Sequence, residues 1–315
     1  MKRFLAVLAV LSPFACTPEE NGNENAVDKT VQVTDIVLDR SSVTIKEGES
    51  ITLVPIITPD NASKIIIWFS SNELVAIVDG GGRVTAKAKG NAVIQAKAND
   101  ESGVSASCAV RVRKSYTAVA GDAVNLGLSV KWSSTNLGAT SSTGYGDYFA
   151  WGETSPKGIY NWVTYELCNG THSSLTNYND SSSYGVVDSK TEFRDYNYED
   201  DAARQTLGDK WRIPTDAEWT ELRNNCTWTW VTDYNGSGVN GRLVASPNGN
   251  SIFLPAAGFR YNTDLVSVGL GSGYWSSSCV TDYPFYAWYV DFDSFNVLSS
   301  YSGRFFGFSV RPVTD

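Results

Sequence analysis

The residues best suited to chemistry lie in the last forty positions. From 273 to 313 the chain reads GYWSSSCVTDYPFYAWYVDFDSFNVLSSYSGRFFGFSVRPV. Tyr and Trp supply large, rigid, amphipathic contact area at low entropy cost, while Ser, Gly and Asn supply adaptable hydrogen bonding. That is the make-up of a recognition surface. Ten residues are the candidate ligand contacts: Tyr274, Tyr283, Phe285, Tyr286, Tyr289, Asp291, Asp293, Tyr301, Phe305 and Phe306. Trp275, Trp288, Phe292, Arg304 and the run from Gly307 to Pro312 form a stiffer framework, expected to be buried.

Groups able to catalyse are sparse. The chain has one histidine, His172, on a polar stretch that reads as a solvated loop. A Cys/His or Ser/His/Asp arrangement therefore has little to build on. Cys108, Cys168, Cys226 and Cys279 form no CxxC pair and do not cluster with histidine, which argues against zinc. Asp291 and Asp293 could offer oxygens to calcium, but their alternate spacing on a strand makes them solvent-facing charges. No metal and no cofactor is expected. Cys168 with Cys226 is the pairing to test if the chain is exported; Cys108, on an alternating pattern, is expected to be a buried thiol.

The start of the chain bears on compartment. Lys2 and Arg3 precede an apolar run from Phe4 to Leu11, the size of a signal peptide and too short to span a bilayer. Ala15-Cys16 follows, then a polar, acidic stretch. This resembles the lipobox of bacterial lipoproteins, which implies lipidation at Cys16 after removal of residues 1–15. Glu19 and Glu20 resemble the surface-export signal of some Gram-negative lipoproteins. Residues 16–30 read as a solvated tether. The expectation is an outer-membrane, lipid-anchored, surface-exposed protein that touches the membrane only through its anchor. The formal charge is −9, and falls to −11 without Lys2 and Arg3. An acidic chain repels phosphate backbones, so nucleic acid is excluded as a partner.

Aromatic residues mark a domain boundary. All sixteen Tyr and nine of the ten Trp follow residue 115, whereas 31–113 is rich in Val, Ile, Ala and Thr. Residues 114–121 read as a linker. In 31–113, short β-type runs alternate with turn signals: Ile36–Leu38, Val43 with Ile45, Ile51 to Pro55, Ile65–Trp68, Val75–Val78, Val84–Ala88, Ala92–Ala98 and Ala106–Val112. Seven or eight strands of that rhythm predict a β-sandwich with Trp68 in its core. The strings VTIKEGESITL and PDNASKIIIWFSSNELVAIVDGGGRVTAKAKGNAVIQAKA resemble the bacterial immunoglobulin-like domain, group 2. The resemblance implies an all-β stalk or adhesive module without catalytic residues.

Residues 122–315 follow a different pattern. Asn125–Trp132 opens with strand-like alternation, 168–190 reads as a polar surface loop, and Tyr198–Leu207 reads as a helix closed by Gly208. In WRIPTDAEWTEL at 211–222, Trp211 and Ile213 alternate as a strand. Thr215 and Glu218 then make a capping box. Trp219, Leu222 and Cys226 form one apolar stripe on the helix that follows. Ser251–Leu254, Ala256–Arg260, Tyr289–Phe292 and Phe308–Val313 complete the strands.

Four stretches, GLSVKW at 127–132, DYFAWGE at 147–153, WRIPTDAEW at 211–219 and GYWSSS with FGFSVRPV at the end, resemble the paralogous-domain family first named for Fibrobacter succinogenes. That resemblance implies an α+β domain with the C-type lectin fold shared with formylglycine-generating enzymes. The enzyme chemistry needs a reactive cysteine pair near the C-terminal site, and only Cys279 stands there; the expectation is a non-enzyme. The Glu-Pro-Asn, Gln-Pro-Asp and Trp-Asn-Asp strings of calcium-dependent lectins do not occur. Retroelement-diversified proteins with this fold are similar in placing variable residues after a GxWSSS-like string. The expected function is adhesin-like: a stalk projecting a head that binds a glycan or protein. The alternative is a structural surface protein without a discrete ligand.

Overall fold

The structure, a computed structural model, describes residues 31–315. The signal peptide expected at 1–15, the lipidation expected at Cys16 and the tether expected at 16–30 lie outside the described residues. Among the described residues no helix is long and apolar enough to cross a membrane.

The first domain is built from β1 (Asp35–Leu38), β2 (Ser42–Lys46), β3 (Ser50–Thr52), β4 (Pro55–Thr58), β5 (Ile66–Ser70), β6 (Ala76–Val78), β7 (Arg83–Ala86), β8 (Gly90–Ala98) and β9 (Ser105–Arg113). One sheet has the order β2-β9-β8-β5, a second β3-β7-β6, and β1 pairs with β4. Alternation drives it: Ala92, Ile94, Ala96 and Ala98 of β8 point inward with Cys108, Val110 and Val112 of β9, as strand pleating requires. The run from Ile51 to Pro55 divides into two strands. Asp39 is the reason: its carboxylate accepts from the Val54 amide, and its own amide donates to the Val54 carbonyl. Trp68 is half-buried rather than central, lying against the edge of the core. Gly82 has φ +78°, and a Cβ there would stand 2.7 Å from both the Trp68 ring and the Leu53 carbonyl, so this close approach requires glycine.

The second domain contains β10 (Ala123–Val124), β11 (Lys131–Ser133), β12 (Tyr148–Phe149), α1 (Ala202–Leu207), α2 (Asp216–Asn225), β13 (Thr227–Val231), β14 (Gly241–Ala245) and β15 (Ser251–Pro255). It continues with β16 (Phe259–Tyr261), β17 (Asp264–Val266), β18 (Gly271–Cys279), β19 (Tyr286–Asp293), β20 (Val297–Gly303), β21 (Phe308–Ser309) and β22 (Val313–Thr314). The main sheet has the order β12-β21-β18-β19-β20, and smaller sheets β13-β14-β15, β10-β11-β22 and β16-β17 surround it. Strand structure dominates, and the two helices are short. Central strand β18 feeds two cores by alternation: Tyr274 enters a cluster with Trp132, Trp219 and Phe292, and Trp275 one with Trp151, Phe149 and Phe308.

The capping box forms as expected. The Thr215 hydroxyl accepts from the Glu218 amide and the Glu218 carboxylate from the Thr215 amide, with Trp219 and Leu222 fully buried on α2. Other expectations shift. The helix expected from Tyr198 begins only at Ala202, because the Asp201 carboxylate caps it and the residues before it turn. Trp211–Ile213 is not a strand; Arg212 makes a single bridge to Val313. Asn125–Trp132 is strand only at its end. The 168–190 segment is not simply a surface loop, since Leu175, Tyr178 and Asn179 are buried. All four described cysteines are free, so Cys168 and Cys226 are not bonded: Cys168 packs in the aromatic core, whereas Cys226 ends α2 beside a different core.

The linker at 114–121 does not hold the domains apart. Arg113 of β9 pairs with Asp200, Arg111 reaches the same carboxylate at 3.3 Å, and the Tyr178 hydroxyl donates to its other oxygen at 2.8 Å. Lys89 pairs with Glu166, and Lys46 donates to the Gln205 carbonyl. Burial of Arg113 lowers its pKa, which Asp200 opposes. A buried pair of this kind punishes loss of one partner more than it rewards the pair itself.

Candidate ligand-binding site

Strands β19 and β20 pair so that Tyr286 faces Gly303 and Trp288 faces Tyr301. At the end of β20 the chain turns sharply. Arg304 folds inward, fully buried, and its guanidinium donates to the carbonyls of Asn177 and Tyr178 while lying 4.7 Å from the centre of the Trp151 ring. The Arg304 amide donates to the Phe285 carbonyl and the Arg304 carbonyl accepts from the Trp151 amide. With Arg304 pinned inward, its neighbours Phe305 and Phe306 turn outward and stack with ring centres 4.4 Å apart. Gly303 and Gly307 permit this: a Cβ would stand 2.9 Å from the Phe305 ring at the first and 2.6 Å from the Tyr160 ring at the second.

The outward rings meet a second wall. Asn161 starts a short 3-10 helix, Trp162–Thr164, by a reciprocal cap with Thr164, which fixes Trp162. Trp162 lies 5.0 Å from Phe305, and His172 lies 5.4 Å from Phe285, centre to centre. Together Trp162, His172, Phe285, Tyr286, Tyr301, Ser302, Gly303, Phe305 and Phe306 line an open cavity of about 590 Å³. Tyr261 stacks behind Phe306 at 5.3 Å, and Tyr184 against Phe285 at 5.0 Å. No Asp, Glu, Lys or Arg side chain lines these walls. A cavity of this size, aromatic with a few polar tips, has the form of a small-ligand site.

Of the ten candidate contacts, Phe285, Tyr286, Tyr301, Phe305 and Phe306 converge on the cavity. Tyr283 is exposed and sits outside its walls, 6.2 Å from Phe285. Tyr274 is not a contact at all. It is fully buried, its hydroxyl donating to the Pro255 carbonyl and accepting from Asn136, and its ring stacking on Phe292. Tyr289 turns to the other face of β19 and packs on Phe308 and Trp275; burial, then Asp291, raise its pKa. Asp291 and Asp293 occupy the far end of β19. At about 3.3 Å per residue, Asp293 is roughly 23 Å from Tyr286. Asp291 is exposed, its pKa raised by partial burial and then by Asp293. Asp293 spends one oxygen on the amides of Phe295 and Asn296, both at 2.7 Å, so it shapes a turn. Among the described residues no group of acidic, Cys or His side chains is arranged to hold a metal.

Of the framework residues, Trp275, Phe292, Arg304 and Phe308 are buried, whereas Trp288 is half-buried against Tyr301. Cys279 is buried and burial raises its pKa. Sequence reasoning missed Trp162 and His172, which lie more than a hundred residues before the other wall. The signal for Trp162 was the Asn161–Thr164 cap; His172 carried none.

Residues 32–110 match the bacterial Ig-like domain (group 2). Over 85 residues the chain is 36% identical to an uncharacterized protein of Clostridium acetobutylicum, covering 27% of this chain and 9% of that one. Over 114 residues it is 33% identical to a lacto-N-biosidase of Bifidobacterium bifidum, covering 34% and 10%. The match thus spans about a tenth of the length of these curated relatives. Among solved structures, an intimin mutant of EHEC O157:H7 aligns at TM-score 0.22 and 13% identity, over 75% of this chain and 96% of that one. The S-layer protein SbsC aligns at TM-score 0.24 and 10% identity, over 85% and 25%. The pleated aliphatic core described above and the match over the same residues agree: residues 32–110 are a bacterial Ig-like domain of group 2.

Proposed function

We propose that this chain is an adhesin-like cell-surface lipoprotein, anchored at Cys16, whose lectin-type head at 122–315 binds a glycan or protein ligand at the aromatic cavity. One observation carries the reading. In the head's core, most Trp and Tyr spend their polar tips on backbone carbonyls: Trp151 on Ser276, Trp219 on Trp275, Trp275 on Phe149, Tyr160 on Tyr148, and Tyr165 on Trp151, with Trp132 an exception. Around the cavity, among the described residues, the indole N–H of Trp162 and the hydroxyls of Tyr286 and Tyr301 have no protein partner. Rings that are partly out of water, concave and tipped with groups open to solvent are arranged for an incoming ligand.

The Ig-like domain is the stalk, docked through the Arg113–Asp200 junction so that the cavity is held at a fixed angle. Binding, not catalysis, suits the site: among the described residues His172 makes no side-chain hydrogen bond to Ser302 or to a carboxylate that would form a Ser/His/Asp relay, and Cys279 is buried as a thiol whose pKa is raised, so it lacks the accessible thiolate that cysteine chemistry needs. The test is an array of glycans and surface proteins probed with the purified full chain. Hits are expected to vanish in Tyr286→Ala with Phe305→Ala and to persist in Tyr283→Ala. Hits unaffected by the double substitution would move the binding surface elsewhere, and no hit of either kind would favour a purely structural surface protein.

A further inference from the structure

We infer that the cavity takes an uncharged pyranose unit, and that it does so without a metal ion; this rests on the reading that the cavity is the binding site. Three observations select that ligand class. The rings of Trp162, Phe305 and Phe306 stand together on the cavity wall, Phe305 between the other two at 5.0 Å from Trp162 and 4.4 Å from Phe306. A pyranose has a C–H face that stacks on such rings and a circle of hydroxyls at its edge. The polar side chains suited to that edge line the same cavity: Tyr286, Tyr301, Ser302 and His172. An apolar peptide side chain would use the rings and leave those tips without partners.

The second observation is charge. No Lys or Arg lines the cavity, and Arg304, one residue from it, is spent inward on the Asn177 and Tyr178 carbonyls. The flank next to Tyr283 is acidic, where the Asp282 amide donates to the Asp180 carboxylate. Sialylated, uronic or sulfated sugars would meet repulsion and no counter-charge. The third observation is the distance of the acids. Asp291 and Asp293 stand at the other end of β19, and no carboxylate lines the cavity, so sugar hydroxyls cannot be bridged to the protein through a divalent cation there.

The experiment is calorimetric titration of the full chain with neutral oligosaccharides of glucose, galactose, mannose and N-acetylglucosamine. Sialyllactose, a heparin fragment and a Phe-rich peptide complete the panel. At least one neutral sugar is expected to bind, with affinity unchanged in EDTA and within twofold in Asp291→Asn and Asp293→Asn. Trp162→Ala and Phe305→Ala are expected to weaken it tenfold or more, while Phe305→Tyr, which keeps the ring, stays within threefold and shows that folding is intact. Loss in EDTA, or binding confined to the acidic sugars or to the peptide, overturns the inference; if Phe305→Ala abolishes that other binding, the cavity remains the site. Absence of any neutral-sugar binding also overturns it. Neutral-sugar binding that ignores Trp162→Ala and Phe305→Ala overturns both the inference and the assignment of the site.

Discussion

The two domains solve the same problem, backbone satisfaction around a dry core, in opposite ways. The Ig-like domain pairs its backbone in ladders, so its core needs only aliphatic side chains such as Ile94, Val84 and Val110. The head has short strands and long irregular segments, and many of its carbonyls lie outside any ladder. Buried arginines collect them: Arg311 donates to the carbonyls of Ser133 and Phe253 and to Asn136, Arg304 to two carbonyls, and Arg242 to those of Asp293, Trp228 and Asn296. Buried polar groups must be paired, and burial accordingly lowers the Arg311 pKa. The difference teaches that a loop-rich domain is held by long donors reaching into it, which frees its surface strands to carry exposed rings.

The comparison can be broken by removing one device at a time and following unfolding in urea. Arg311→Ala is expected to have the largest effect, about 5 kcal/mol, because three buried acceptors each lose a partner worth roughly 1–3 kcal/mol. It should unfold the head first and leave the Ig-like transition in place. A single shared shift would mean that the domains do not fold as two units. Asp200→Ala leaves Arg113 buried and unpaired, at a cost of about 4 kcal/mol to the junction. Small-angle X-ray scattering should then show a longer, hinged particle, and an unchanged envelope would contradict a docked stalk.

Asp201 gives a pH handle on the head alone. Burial raises its carboxyl to about 6 despite hydrogen bonds from the Arg204 and Ile213 amides. Because the folded value lies above the unfolded one of about 4, the folded state holds the extra proton. This group's contribution is present below pH 4 and is lost as pH rises through 6, a change of about 3 kcal/mol. Asp201→Asn, which keeps a capping oxygen, should flatten the fall in head stability between pH 4 and 6. A slope equal to that of the parent would remove Asp201 from the explanation. The smallest effect is expected in the sandwich: Ile94→Val costs about 1 kcal/mol, confined to the Ig-like transition at any pH.

Legibility differed between the domains for the same reason as their architecture. Period-two alternation is local, so the sandwich strands could be placed to within a residue or two. Its chief error, Trp68 at the edge of the core, came from a neighbour fourteen residues away, Gly82. In the head the local signals held: the Thr215–Glu218 cap, Gly208 after α1, and the burial of Trp275, Phe292 and Arg304. What failed was the choice of face. Tyr274 and Tyr286 have the same composition value as contacts, yet β18 is central and covered on both faces while Tyr286 lies on β19 beside the end of the edge strand β20.

The sequence by itself determined the boundary between an aliphatic and an aromatic domain, the Ig-like strands, and the fact that the C-terminal aromatics divide into buried and exposed groups. These follow from composition and short-range periodicity, which act along the chain. Only the tertiary structure decided that Trp162 and His172 complete the aromatic wall, that Asp291 and Asp293 stand apart from it, and that Asp200 locks the head to β9. Those arrangements depend on where Arg304 and Arg113 find buried partners nearly a hundred residues or more away, and no local pattern encodes which distant carbonyl or carboxylate a buried arginine will reach.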